Sequence, residues 1–465
     1  MHRGNIISMK SISIIGGGIS GALVVMNLLR IAQKDTVSIK WIEQSGSFGL
    51  GTAYSTDKAY HLLNVPAIAM GLFPDNPGGF YEWLKEKGHT YAEYDFVPRM
   101  IYGQYIKENL DSFLQNNQSV TLALITAEVN DVSRVGDQYS LSLANHDDIL
   151  TDSVVLVPGN FLPAHPRVEN MAYALSPGYH RNPWDNGLND TLKKSDDVLV
   201  IGTGLTMVDK ILDFYHQSHK GNIYALSRNG YLPLSHNPGS RHQKYPDYKE
   251  EMLVAGDAGK LLSIVRKHIT KGIKSVIDWR VVLDSLRPSI PAIWNTLSLK
   301  EKQRFFRHIN AAWAVARHRI PVICADIIQI LRAKKQLDIL SGRLIAIKPE
   351  TDGFTVTYRD RKTLEIKSIA IHKIINCTGP QIYPGPDDSL LMRNLFAKEW
   401  VCADELGLGY NVLPDGRLLN KTHQILPNFY TIGSGLKGVL FETTAVPEIR
   451  AQANTLSKLL LETEI

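Results

Sequence analysis

Hydrophobic positions in the N-terminal third come in short runs punctuated by glycine. Residues 11–15 form one apolar run, Gly16-Gly17-Gly18 interrupt it, apolar residues then recur at helical spacing to about Ala32, and residues 37–42 form a second run. A period that switches from strand to helix and back within about 30 residues predicts a β-turn-α-β unit. A loop-rich stretch follows over 46–79, then helices near 80–87 and 102–115. Residues 120–157 alternate in short strands, with turn signals at Val135-Gly136-Asp137 and Asn145-His146-Asp147. A proline-rich connector occupies 162–185.

Residues 198–201 open a second β-turn-α-β that closes at 223–226. From about 250 to 331 the spacing is helical, with Phe306, Ile309, Trp313 and Ala316 on one face. Short strands return at 337–340, 354–358 and 374–376. A last strand at 429–432 runs into Gly433 and a helix to about Glu462. The two βαβ units are the one internal repeat. They predict an α/β protein with two Rossmann-like dinucleotide-binding domains and a helical insertion. The expected boundaries are a discontinuous first domain over 1–165 and 345–465, and a second over 166–344 that contains the insertion 246–335.

Each glycine of the first turn has a physical reason. Gly16 makes the tight turn, Gly18 lets the backbone approach a pyrophosphate, and Gly21 lets helix and strand pack closely. The pyrophosphate then rests on the helix N-terminus at Ile19 and Ser20, where free N–H groups and the macrodipole favour negative charge. Glu43 stands at the end of the second strand, about 20 residues on, where an acid accepts ribose hydroxyls. Gln44 follows it in the candidate set. At the second unit Gly202, Gly204, Leu205 and Thr206 repeat the design, with Met207 in the third glycine position. When Gly230 is aligned with Gly46, Ser227 falls where Glu43 stood and Arg228 is next. Losing the acid removes repulsion of a 2′-phosphate, so NADPH is expected rather than NADH.

Charge changes this picture little. The formal net charge is +5 with 21% charged residues, ordinary for a chain that binds phosphate-bearing cofactors or an acidic substrate. The three cysteines, Cys324, Cys377 and Cys402, form no C-x-x-C pair, which excludes thiol–disulfide reductases and suggests a reducing, cytoplasmic setting. The uncharged run over 11–29 has a membrane-like length, but its four glycines fit a turn instead. The residues before Met9 read as a lead or an early start. The 15 histidines show no H-E-x-x-H or related spacing, so no metal is expected. No G-x-S-x-G elbow points to a hydrolase, and no basic run to nucleic acid.

Further motifs are Phe48-Gly49-Leu50-Gly51-Thr52-Ala53-Tyr54, His61-Leu62-Leu63-Asn64-Val65-Pro66-Ala67, Asn182-Pro183-Trp184, Trp313 with Arg317-His318-Arg319, and Glu442 to Arg450. With the glycine turns, they make the chain resemble the bacterial FAD-NAD(P)-binding family within the glutathione-reductase-like flavoproteins, relatives of flavin-containing and N-hydroxylating monooxygenases. The resemblance implies FAD at the first unit, with Thr52 and Tyr54 near it. It implies that Asn64 lies beside the flavin, an amide able to donate to a peroxide oxygen and accept from a nicotinamide amide. The alternative for Asn64 is a cap on the turn before Pro66.

Gly379, in Asn376-Cys377-Thr378-Gly379, resembles the strand-end element that packs on the cofactor. Gly433 and Ser434 stand where the family carries Gly-Asp, and the helix after them is expected to face the flavin. Cys377 reads as a small buried filler. His318 and Arg319 are candidate catalytic residues on a lid meeting an anionic substrate; the other reading makes this helical region core with a solvated basic face. The resemblance implies an NADPH-using flavin monooxygenase acting on a small molecule. A dehydrogenase or reductase without oxygen insertion, and a non-enzymatic flavin-bound regulatory subunit, are the alternatives.

Overall fold

The computed structural model describes residues 9–34, 36–118, 120–185, 187–385 and 388–462. The lead before Met9 lies outside them. Two compact units result. The first comprises Met1–Asn160, Ser289–Leu299 and Ile382–Ile465, the second Phe161–Pro288 and Lys300–Gln381. The chain returns to the first unit at 382 rather than at the expected 345. It also visits it once more, over 289–299.

The first unit is built on a six-stranded sheet ordered Arg417–Leu419, Ile425–Tyr430, Ser153–Leu156, Lys10–Ile15, Val37–Ile42, Thr121–Ile125. All its pairings are parallel except the Arg417–Leu419 edge. The strand Lys10–Ile15 sits centrally and is almost entirely buried, Ser13 along with Ile12, Ile14 and Ile15. The helix Ile19–Ile31 follows at once, and Gly21 to Leu28 are buried on it. Its 13 residues span about 20 Å. Among the described residues no helix is long and apolar enough to cross a membrane. A three-stranded meander, Val129–Val135, Gln138–Leu143 and Ile149–Thr151, completes this part.

The second unit repeats the plan. Its seven-stranded sheet is ordered Ile366–Ile371, Gly353–Asp360, Leu337–Glu350, Ile223–Ser227, Val198–Ile201, Lys373–Asn376, Tyr179–His180. The meander here joins the main sheet through Leu337–Glu350, which pairs parallel with Ile223–Ser227 and then antiparallel with Gly353–Asp360. That strand has 14 residues, far longer than the 337–340 run expected, because its second half alternates and its apolar content is diluted. Tyr173, Tyr179, Ile201, Leu226, Ile347, Phe354, Val356 and Ile374 form one buried cluster around these strands. This binding of the meander and of Lys373–Asn376 to the second unit moves residues 345–381 out of the first domain.

The helical stretch is cut into separate pieces from Lys249–Leu253 to Val322–Ala333, with the 17-residue Ala258–Lys274 among them. One of them, Ile290–Thr296, belongs to the first unit. Its Trp294 donates its indole N–H to the Gly438 carbonyl at 2.8 Å and stacks on Phe441 at 4.5 Å between centroids.

Candidate dinucleotide sites

The first glycine turn is held from three sides. Gly16 has φ +119°, and a Cβ there would collide with the Val157 carbonyl oxygen. Only glycine tolerates both that dihedral and that approach. The Gly16 N–H donates to Ile42 O at 2.9 Å, and Trp41 Nε1 donates to Gly16 O at 3.0 Å. The motif over 48–54 lies on the same turn: Gly49 N donates to Gly17 O at 2.7 Å, and a Cβ on Gly51 would stand 3.1 Å from Gly18 Cα. Thr52 and Tyr54 follow in the short helix Gly51–Tyr54. Burial pushes the Tyr54 phenol up to about 12, with Arg99 pulling the other way.

Gly18 behaves differently from Gly16. Its dihedrals, φ −75° and ψ −175°, suit any residue, and a Cβ there would meet only Gly51 Cα, at 3.8 Å. Folding alone does not require glycine at this position. What glycine leaves is open space at the end of a helix with no side-chain cap and no acid in its first turn. The amides of Ile19, Ser20 and Gly21 lack intrahelical acceptors by construction. A pyrophosphate fits that combination of free donors, positive dipole end and missing side chain. Glu43 accepts from Gly17 N at 2.6 Å and from Ser45 N and Oγ at 3.0 and 2.8 Å. Gln44 is exposed beside it.

The C-terminal segment reaches the same place. A Cβ on Gly433 would lie 3.1 Å from Ser20 Oγ. Gly433 N donates to Gln452 Oε1 at 2.8 Å, Thr443 Oγ1 donates to Gly433 O at 2.9 Å, and Gln452 Nε2 donates to Thr443 Oγ1 at 2.6 Å. Gln452 escaped the sequence reading; it lies one helical turn past Glu448, a spacing that signals only a helix face. The helix expected directly after Gly433 is a 3-10 turn, Gly433–Leu436, then a single turn, Lys437–Leu440, and Phe441 at φ +65°. The long helix starts only at Val446. Ser434 therefore sits in a tight turn without an appreciable macrodipole behind it.

Asn64 lies half-buried at the bend before Pro66 in the same unit. The segment around it is pinned: Leu63 N donates to Val97 O at 2.9 Å, Arg99 N to His61 O at 2.8 Å and Ala67 N to Asp95 O at 3.0 Å. Arg450, from the Glu442–Arg450 motif, donates to Ala69 O and Gly71 O at 3.0 and 2.9 Å.

The second glycine turn repeats the strand-end backbone bonds of the first. Gly202 has φ +111°, and its Cβ would collide with Cys377 O as that of Gly16 would with Val157 O. Gly202 N donates to Leu226 O and Cys377 N to Ile201 O, both at 2.8 Å. Gly379, at φ +88° with open space around it, is thus the counterpart of Gly159, at φ +81°. Gly379 belongs to the second unit and not to the first, because Lys373–Asn376 pairs with Val198–Ile201. Burial raises the Cys377 thiol, as suits a filler. Gly204 has φ −87° and ψ −163°, and a Cβ there meets no atom within 4 Å. The uncapped helix Leu205–His216 starts there with Leu205 and Thr206, and Met207 fills the third glycine position fully buried.

The Ser227 oxygen accepts from Thr203 Oγ1 at 2.9 Å and from Gly230 N at 3.0 Å, so it shapes the loop that carries exposed Arg228. The pair Arg317 and Arg319, with nearly buried side chains, shares Asp284: Arg317 Nη1 to Oδ1 at 2.6 Å, and Arg319 Nη2 to Oδ2. His318 between them is exposed at the end of the helix Asn310–Arg317. The expectation of an Arg319 presented by a lid gives way to a guanidinium engaged within the insertion itself.

Residues 13–161 match a family model described as FAD-NAD(P)-binding. No curated protein matches the sequence. Among solved structures the chain is similar to the ornithine N-hydroxylase of Kutzneria sp. 744, solved as KtzI-FADred-NADP+-L-orn, at 12% identity and TM-score 0.63, covering 97% of this chain and 99% of that one. It is similar to DfoA bound to FAD, the cadaverine monooxygenase of Erwinia amylovora, at 15% identity and TM-score 0.63, covering 97% and 94%. The L-lysine 6-monooxygenase of Pseudomonas syringae gives 14% and 0.62, covering 97% and 98%. The fold is therefore that of two-dinucleotide flavoproteins, and the segment that matches the FAD-NAD(P)-binding model contains the turn at Gly16 to Gly21.

Proposed function

We propose that the protein is an FAD-dependent, NADPH-using oxidoreductase, specifically a flavin monooxygenase that acts on a small primary amine. The observation that carries this reading is the duplicated corner. Gly18 and Gly204 each leave space that the backbone does not need, at the uncapped end of a helix of 12 or more residues. FAD, when bound, supplies hydride acceptance and reaction with oxygen. The chain supplies the rest. Ile19 and Ser20 hold the diphosphate through backbone amides, Glu43 accepts the ribose hydroxyls, and Gly433 closes the site against Ser20. Asn64, steadied by its anchored bend, would offer the flavin side a hydrogen-bond donor and an acceptor. Gly204, Leu205 and Thr206 hold the second diphosphate, and Arg228 faces the 2′-phosphate. The amine substrate class follows from ornithine, lysine and cadaverine in the names of the similar structures. We assign exposed His318 a catalytic role and Arg319, bound to Asp284, a positioning role.

Mixing the flavin-loaded protein with NADPH in the absence of air tests the reading. Bleaching of the visible flavin absorbance is expected. A flavin that stays oxidised ends the proposal. Admitting air with ornithine, lysine or cadaverine then separates monooxygenase from reductase: hydroxylated amine supports the first, and hydrogen peroxide alone across the panel supports the second.

A further inference from the structure

The strand Ile223–Ser227 delivers Arg228 to the rim of the second dinucleotide unit, and a second arginine arrives there from far along the chain. Ser227 lies in register with Ser341, and Arg361 N donates to Ser341 O at 2.9 Å. Arg361 thus stands two strands from Ser227, about 10 Å at sheet spacing. Its side chain crosses the small Ser341 and brings Nη1 to 3.5 Å from the Arg228 carbonyl oxygen. Two exposed guanidinium-bearing residues share one edge of the loop that Ser227 shapes.

The surrounding charges are arranged to leave this edge positive. Arg343 and Arg359 are direct cross-strand partners. Arg359 and Asp360 end their strand on opposite faces, and Arg361 opens the turn that follows. Like charges placed opposite each other destabilise a ladder, so folding does not favour this arrangement. The neighbouring acid, Asp360, falls on the other face, where it binds Lys367 Nζ at 3.0 Å and the amides of Lys362 and Thr363 at 2.8 and 3.0 Å. Among the described residues none of the four arginines is joined to a carboxylate.

We propose that Arg361 is a second specificity-determining residue for the coenzyme, closing with Arg228 on the 2′-phosphate as a two-guanidinium clamp. The inference rests on the NADPH reading above. A phosphate dianion offers oxygens enough for both guanidiniums, and two charge-assisted contacts bind it far better than one. The sequence alone hid this residue, since Arg361 follows Arg228 by more than a hundred positions and sits in an unremarkable hairpin turn.

The test is titration of the flavin-loaded protein with 2′,5′-ADP and with ADP, which lacks the 2′-phosphate. Arg361→Ala is expected to weaken 2′,5′-ADP binding about ten- to hundredfold and to leave ADP unchanged. Arg361→Lys restores part of the loss. Arg343→Ala, on the same basic strip but away from Arg228, has a much smaller effect. Equal losses for both nucleotides, no loss, or an Arg343→Ala effect matching that of Arg361→Ala overturns the clamp. If wild type binds 2′,5′-ADP well while Arg361→Ala is silent, only the clamp falls. If wild type prefers ADP, the NADPH reading falls with it.

Discussion

Gly18→Ala separates the demands of folding from those of the cofactor. In the folded chain the new methyl group meets a single atom, Gly51 Cα, at 3.8 Å, and φ −75° is open to alanine. Two small effects of opposite sign act on stability. Restricting the unfolded chain stabilises by about 0.4–1 kcal/mol. Alanine is a poorer N-cap than glycine, which costs a comparable amount. The cofactor-free variant should therefore melt within about 1 kcal/mol of wild type.

Binding should behave otherwise, because the methyl occupies the space where a phosphate oxygen would approach the helix amides at about 2.9 Å. Losing one or two charge-assisted bonds, at about 1.5–3 kcal/mol each, weakens FAD at least about tenfold, and about a hundredfold midway in that range. At an FAD concentration of about 100 Kd for wild type, bound cofactor adds about 2.7 kcal/mol of stability, and a hundredfold weaker variant would gain only about 0.4 kcal/mol. The assay is thermal unfolding of the two apoproteins with and without FAD, alongside a flavin-fluorescence titration. A variant that folds normally and retains wild-type FAD affinity would refute the placement of the diphosphate at this helix end. A variant that loses several kcal/mol without cofactor would refute the claim that the chain does not need glycine there.

Gly204→Ala should fold normally, keep its FAD and lose NADPH affinity, since a Cβ there meets no atom within 4 Å; stopped-flow reduction with unchanged NADPH saturation would count against the second site. Lys210 and Asp213 form a 2.7 Å pair with side chains only 8% and 10% exposed. Lys210→Met should cost about 3–5 kcal/mol by removing the cation beside the buried Asp213 carboxylate, and a Lys210→Met, Asp213→Leu double variant should recover most of it; a single variant no worse than the double sinks this account. Asp360 is held down to about 2, chiefly by the Thr363 amide, then by Lys367 and the Lys362 amide. Its folded value lies below the ordinary 3.8, so its contribution is complete above that value and disappears as pH falls toward 2. Urea midpoints of wild type and Asp360→Asn should differ by a constant amount near neutrality and converge in that acid window; a gap that widens on acidification contradicts the assignment.

Local features of the fold were readable from the chain. The runs around Gly16 and Gly202 announce strand, turn and helix because each signal lies within a few residues of the next, and Val37–Ile42 and Val198–Ile201 fall where the apolar runs end. Long-range placement was not. Gly379 looks like a flavin-side element until its strand is seen paired with Val198–Ile201. Trp294 reads as one more apolar position in a helical stretch, yet it bonds Gly438, 144 positions on. Gln452 and Arg361 act through partners that no periodicity links to them. The late start of the last helix, at Val446, depends on Phe441 taking a positive φ, which the residue types over 433–441 do not reveal.

The path of the backbone also limits how the molecule can be dissected. It leaves the flavin-binding body after Asn160, returns after Pro288, departs again after Leu299 and comes back after Gln381. Neither body is therefore an uninterrupted stretch of sequence. A fragment stopping near residue 288 would carry the first glycine corner but would lack Trp294, the Gly438 carbonyl it binds, and the strand Ile425–Tyr430 that pairs with Ser153–Leu156. Flavin affinity should consequently be a property of the whole polypeptide, and its loss a sensitive reporter of a truncation hundreds of residues from Gly16.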